Sequence, residues 1–189
     1  MHNSDAPLIS ILMNCYNGER YLHDAIKSVI KQTYSNWELI FWDNQSTDNS
    51  KAIFESYQDN RFKYYYASEH TDLGGARANA FKYLCGDYIA ILDTDDVWLP
   101  DKLEKQIQLF SNADIGIVIS DTLFFNDTDE RALYDGNYPP EGNVFCELLT
   151  GYFVSLETLM LRKSVVDRLD YGFDADFSFI ADFDLVLRT

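Results

Sequence analysis

Basic side chains are scarce in this sequence: 15 Lys and Arg stand against 31 Asp and Glu, for a formal charge of −16. Phosphate backbones and anionic bilayers reward cations, so nucleic acid and acidic membrane surfaces are excluded as general partners. A small anionic ligand held through a metal is not. Paired cysteines are also missing. Cys15, Cys85 and Cys146 are odd in number, far apart and set among apolar residues, which reads as reduced thiols in a cytosolic protein. Long apolar runs are absent too. The stretch from Leu8 to Met13 is too short for a signal peptide and has no basic segment before it. No run approaches the roughly 20 residues needed to cross a bilayer. The expected compartment is the cytoplasm, and the sequons at Asn44 and Asn126 read as accidental. Peripheral attachment to the inner membrane face, through a partner or a further tail, stays open. Nothing fixes an oligomeric state, and there is no internal repeat or low-complexity tract.

What is present is apolar content of 47%, with 15% aromatic, enough for one full core in 189 residues. The first 120 residues alternate between two periodicities. Strand-like runs occupy 8–13, 37–42 ("WELIFW"), 62–66 ("FKYYY"), 87–92 ("DYIAIL") and 115–120 ("IGIVIS"). Between them lie helical stretches. Tyr21, Leu22, Ala25, Ile26, Val29 and Ile30 form one stripe, and "STDNSKAIFESY" opens on cap-type residues. "GGARANAFKYLCG" reads as a helix with Gly86 as its stop. "PDKLEKQIQLF" carries Leu103, Ile107 and Phe110 on one face, with Pro100 near its start. Strand and helix in turn predict an α/β fold, a mostly parallel sheet with helices on both faces. The strand C-terminal ends then share one edge, where open α/β sheets bind ligands.

After residue 120 the pattern breaks. "FFNDTDERALYDGNYPPEGN" reads as a long loop or irregular hairpin, and Pro139-Pro140 fits either a plain loop or a lid. Apolar runs resume at "VFCELL" and "SLETLMLRK", followed by a short helix near 164–169. The chain stops inside a helical pattern, "DADFSFIADFDLVLRT", which predicts a natural domain that continues.

The carboxylates draw the chemical question. Asp43 ends the second strand, and Asp93, Asp95 and Asp96 crowd into four positions after "AIL". Two like charges about 4 Å apart repel by about 4 kcal/mol at an effective dielectric near 20. Asp is common at strand ends, where it bonds nearby backbone, so a solvated turn is one reading. A divalent cation is the other. Hard oxygen ligands with no His or Cys nearby suit Mg²⁺ or Mn²⁺, which are usually shared with substrate phosphates.

Four motifs in order resemble the family 2 glycosyltransferases. "ISILMNCYNGERYLHDAIKSVIKQTYSNWELIFWDNQSTDNS" is similar to the family's opening strand, Tyr-Asn, "YL…SI…QTY" and "VDDGSTD". "LGGARANA" resembles "G…ARN", "ILDTDDVWLPDKLEKQ" resembles "FLDxDDxxxPxKLExQ", and "IADFDLVLR" resembles "EDxDLxLR". The resemblance covers essentially the whole chain. It implies a single, Rossmann-like GT-A domain over 1–189, with a nucleotide-binding half at 1–120 and an incomplete acceptor-side half at 121–189. It implies inverting transfer of a sugar from a nucleoside diphosphate to a glycan or lipid-linked acceptor. On this resemblance Asp95 is the metal ligand, with Asp93 and Asp96 near ribose and phosphates. Tyr16 flanks the base, Asp43 and Asn44 lie against base or ribose, and Arg77 contacts the nucleotide. Asp182 is the general base, with an apolar wall of Phe177, Phe179, Ile180 and Phe183 expected to raise its pKa.

Spacing alone leaves Asp182 open between that role and a helix N-cap, with Asp184 two residues away as competitor. Three departures stand out. Asn44 and Gln45 replace the usual Asp and Gly, so UDP is only the leading base assignment. Ala181 replaces the Glu before the base, and the chain ends just past it. Two other readings stay open. One is a nucleotidyltransferase, though only Arg20 is offered by the loop after the first strand. The other is a non-catalytic nucleotide-sugar binder or inactive fragment. His2, His23 and His70 read as solvated, and Tyr64 to Tyr66 as core plus one exposed ring.

Overall fold

The computed structural model describes residues 6–126 and 128–189, so His2 lies outside the described residues. In chain order the elements are β1 (Ile9–Cys15), α1 (Leu22–Ile30), β2 (Trp37–Asp43), α2 (Ser50–Glu55), β3 (Phe62–Tyr66), α3 (Leu73–Phe81), β4 (Tyr88–Ile91) and α4 (Lys102–Leu109). There follow β5 (Ile117–Val118), β6 (Leu123–Phe125), β7 (Glu130–Ala132), α5 (Phe145–Thr150), a 3₁₀ turn (Leu156–Thr158), β8 (Met160–Arg162), α6 (Lys163–Val166) and α7 (Ala181–Arg188).

A six-stranded sheet runs in the order β3-β2-β1-β4-β8-β5, and β6 with β7 forms a separate hairpin. β3, β2, β1 and β4 pair in parallel, so their C-terminal ends meet at one edge. β8 runs against both of its neighbours. The mixed α/β sheet is thus the mostly parallel one that the periodicity anticipates, with one reversed strand. That strand lies within "SLETLMLRK", whose three paired residues are too few to show a period.

Alternation along each strand supplies two cores. On one face Ile9, Ile11 and Met13 of β1 meet Leu22, Ala25, Ile26 and Val29 of α1, Phe54 of α2 and Leu103 near the start of α4. On the other, Leu12, Ile40 and Ile91 meet Ala76 and Ala80 of α3 and Leu185 and Val186 of α7. Tyr21 and Ile30, expected on the buried stripe of α1, are exposed at the helix ends.

Three expectations are corrected. The 115–120 segment contributes only two paired residues at the sheet edge. α3 ends at Phe81, well before Gly86; a Cβ on Gly86 would come within 2.6 Å of the Ser10 nitrogen and 2.7 Å of the Leu8 oxygen, so this glycine lets the chain pass close to β1. Of the cysteines only Cys15 is buried; Cys85 and Cys146 are exposed, and all three are free.

Gly74, in the first turn of α3, seats the C-terminal segment. A Cβ there would lie 2.0 Å from the Phe177 carbonyl oxygen. Gly74→Ala should therefore cost about 1–3 kcal/mol, as overpacking against rigid backbone does, read as a lower urea midpoint. Gly151→Ala, in open space, should leave the midpoint unchanged.

Candidate functional site

The loops following β1 and β2 form the first wall of the parallel edge. Asn17 Oδ1 accepts the Thr47 N–H at 2.8 Å, Ser46 Oγ accepts the Asn17 N–H at 3.0 Å, and Ser50 Oγ accepts the Gly18 N–H at 2.9 Å. Asp48 takes the Glu19 N–H at 2.9 Å while Glu19 takes the Asn49 N–H at 2.9 Å. These reciprocal bonds satisfy backbone donors that no strand or helix uses. They hold Asn17 (φ 54°) and Gln45 (φ 69°) in the left-handed region, where a non-glycine residue carries strain. Gln45 takes the place of the resemblance's glycine.

Asp43 and Asn44 face inward. Asp43 is buried, accepting the Ser46 N–H at 2.7 Å on one oxygen and the Tyr64 hydroxyl at 2.7 Å on the other. Asn44 Nδ2 donates to the Thr71 carbonyl at 2.8 Å, and Oδ1 accepts the Thr71 N–H at 3.2 Å. Their polar atoms fix the surrounding loops. Tyr16 stands outside, 54% exposed, with its ring 4.4 Å from that of His70. His70 is exposed but anchored, its Nδ1 2.8 Å from the Asn44 carbonyl oxygen.

The acidic loop follows β4. Arg77 of α3 is buried and donates from Nη2 to both oxygens of Asp93, at 3.1 and 3.0 Å. Burial pushes the Asp93 carboxyl up, Arg77 pulls it down, and Asp95 and Glu157 push it up again. Asp95 is exposed, and among the described residues no hydrogen bond or ion pair engages its carboxylate or that of Asp96. Burial raises Asp96 to about 7, with the charges of Glu157, Asp93 and Asp95 adding to it. Trp98 ends the loop by donating from Nε1 to the Glu157 carbonyl at 2.9 Å, and Gln32, just past α1, donates to the Leu99 carbonyl at 2.8 Å. Nearby, burial lowers the Lys102 ammonium to about 7 while Glu157 supports its charge.

α7 supplies the last wall. Asp182 sits in its first turn with Ile180 at the N-cap, so the capping alternative does not hold. Asp184 is engaged by Arg188, at 2.9 Å from Nε and 2.5 Å from Nη2. Asp182 instead faces the Tyr152 hydroxyl, whose pKa is raised by burial and then by the Asp182 carboxylate; Arg77 and Glu157 also act on Tyr152, which brings this wall to the acidic loop. The apolar wall expected beside Asp182 is open: Phe179 is 97% exposed and Ile180 50%. Together with Leu149 and Phe183 they line a groove of about 370 Å³ that includes Asp182. Ala181 is buried in the second core, where a Glu would have no solvent.

The fold thus brings Asp93, Asp95, Asp96, Arg77 and Asp182 toward one edge, with Tyr16 at its rim. Nothing in the sequence pointed to Tyr152 or Glu157, and His70, read as solvated, is exposed but held at the Asn44 carbonyl. Tyr152 and Glu157 lie in apolar runs without a motif, and His70 owes its position to a carbonyl no spacing reveals. The donor chemistry fits a hard divalent cation: Asp95 offers carboxylate oxygens that no other described side chain engages, beside the carboxylates of Asp93 and Asp96. Among the described residues no three His, Cys, Asp or Glu side chains form a closed metal cluster. Ligand and water must complete such a shell, as Mg²⁺ and Mn²⁺ favour.

Known proteins align with this arrangement. The family model for glycosyl transferase family 2 matches residues 10–170. The UDP-Glc:alpha-D-GlcNAc-diphosphoundecaprenol beta-1,3-glucosyltransferase WfgD of Escherichia coli is 31% identical over 169 residues, 89% of this chain and 66% of that protein. The structure of S. aureus TarS in complex with UDP-GlcNAc superposes with a TM-score of 0.75 at 20% identity, over 95% of this chain and 52% of that one. The mannosyltransferase PcManGT of Pyrobaculum calidifontis, in complex with GDP-Man and Mn2+, gives 0.71 at 17% identity, over 92% and 49%. The chain therefore spans about half to two thirds of the length of these three proteins.

The ion pair invites a direct measurement. Arg77→Met leaves a part-buried carboxylate without its cation and should cost about 3 kcal/mol at neutral pH, the low end for a broken buried pair because Asp93 keeps some solvent. The double change Arg77→Met with Asp93→Asn should recover part of this in urea denaturation, since no uncompensated charge then remains.

Proposed function

The chain belongs to glycosyl transferase family 2, and from that premise we propose that it transfers a sugar, with inversion, from a nucleoside-diphosphate sugar to a hydroxyl of a glycan or lipid-linked acceptor. The carrying observation is one edge that offers Asp95 and Asp96, unpaired among the described residues, on one side and Asp182, facing the Tyr152 hydroxyl, on the other. UDP is the first candidate base, in line with the UDP-Glc of the E. coli relative's name and the UDP-GlcNAc of the TarS complex. The lipid-linked acceptor in that relative's name supports the acceptor class.

In this reading Tyr16 flanks the base and Asp43 and Asn44 shape the wall beside it. Arg77 positions Asp93 toward ribose and phosphate, with Asp96 beside it. Asp95 holds a divalent cation, Mn²⁺ or Mg²⁺, a use supported by the Mn2+ of the PcManGT complex. When bound, the cation offsets negative charge gathering on the departing diphosphate. Asp182 accepts the proton of the acceptor hydroxyl as that oxygen attacks the anomeric carbon from the face opposite the leaving group. Tyr152 orients the Asp182 carboxylate. Among the described residues no helix is long and apolar enough to cross a membrane. A cytoplasmic location is proposed, with peripheral contact to the membrane supplied by the acceptor.

Calorimetric titration with UDP, GDP, CDP and dTDP, with and without Mn²⁺, tests the donor site. One nucleotide should bind in a metal-dependent way, and Asp95→Asn should abolish that binding. Asp182→Asn should keep donor affinity while lowering turnover by about 10²–10⁴-fold, the usual contribution of a general base. Unchanged turnover would remove Asp182 from the role, and donor binding without any transfer would favour the binder.

A further inference from the structure

Asn14 is the last but one residue of β1 and is 9% exposed, yet among the described residues neither its Nδ2 nor its Oδ1 has a hydrogen-bond partner. Buried polar groups are nearly always paired, and an orphan amide is costly to the empty fold. Asn14 shares its sheet face with Leu12, which packs among Ile40, Ile91 and the alanines of α3. In register it stands opposite Trp42, whose Nε1 is also buried without a partner. On the other side Leu12 pairs with Ile91, and that register continued brings Asn14 level with Asp93. Arg77, which holds Asp93, has a third orphan, its Nε.

Three groups without partners among the described residues therefore stand near the ends of β1 and β2 and at the contact of α3 to Asp93, two of them donors only and one able both to donate and to accept. Of the neighbouring carboxamides, Asn44 has both arms spent on Thr71, Asn17 accepts from the Thr47 N–H and Gln45 donates to the Ala67 carbonyl. We infer that the Asn14 carboxamide reads the nucleobase of the donor, pairing with an edge that presents a carbonyl oxygen beside an N–H, as uracil does. The inference rests on the donor-site reading above.

Asn14→Leu removes the polar atoms at similar volume, and Asn14→Ala does so without any steric demand. Both are titrated as the full chain with UDP, CDP and GDP in Mn²⁺, and their thermal midpoints are measured without nucleotide. Each variant should bind the preferred nucleotide at least about tenfold more weakly, with the preference among bases flattened. The Asn14→Leu midpoint should hold or rise by about 2–4 °C, because an unpaired amide has been removed. Wild-type affinity in both variants overturns the inference while leaving the donor site standing. A lowered midpoint in Asn14→Leu overturns it too, marking the amide as a structural group. Failure of the wild-type chain to bind any of the three nucleotides removes the donor site and this inference with it.

Discussion

The bond from Arg77 to Asp93 is the contact on which the edge of this protein depends. Arg77 reaches from α3 across the ends of the parallel strands and takes both oxygens of Asp93. Without that cation, three carboxylates in four positions and the nearby Glu157 would face each other in a part-buried loop. With it, Asp93 is held and the excess negative charge falls on Asp95 and Asp96, at the open side. The same guanidinium lies 5.8 Å above the Phe173 ring, so the pair also ties the C-terminal segment to the site.

Much of the surrounding polarity is architectural. Asp43 and Asn44 carry the residue types one expects of ligand contacts, but their atoms hold Ser46, Tyr64 and Thr71. Loops built from such side-chain to backbone bonds can keep strained residues such as Gln45 in place. The groups left free among the described residues are thereby distinguished: Tyr16 at the rim, Asp95 and Asp96 at the acidic loop, with Asp182 on α7 met only by Tyr152. A site with few unpaired groups among many paired ones is poised for a ligand that brings its own charges.

Much of this was legible in the chain itself. Short apolar runs alternating with amphipathic stripes could be satisfied only by a sheet covered on both faces, and the strands carrying Asp43 and Asp93 had to end at the same edge. The motifs named the acidic loop and the closing helix. Asp182 and Asp184, however, share the first turn of α7, and it is the i,i+4 contact of Arg188 with Asp184 that separates them. Gly86 looked like a helix stop because glycines often are, whereas its neighbour across β1 is 76 residues away in sequence.

By itself, then, the sequence determined the layering, the edge and the crowding of carboxylates, because these follow from local periodicity and from charges adjacent in the chain. The tertiary structure alone decided which polar groups stay unpaired. Pairing depends largely on partners distant in sequence: Arg77 for Asp93, Thr71 for Asn44, Tyr64 for Asp43. Asn14 falls just past the apolar run 8–13, and only the folded sheet places it in β1 with an amide that has no partner among the described residues.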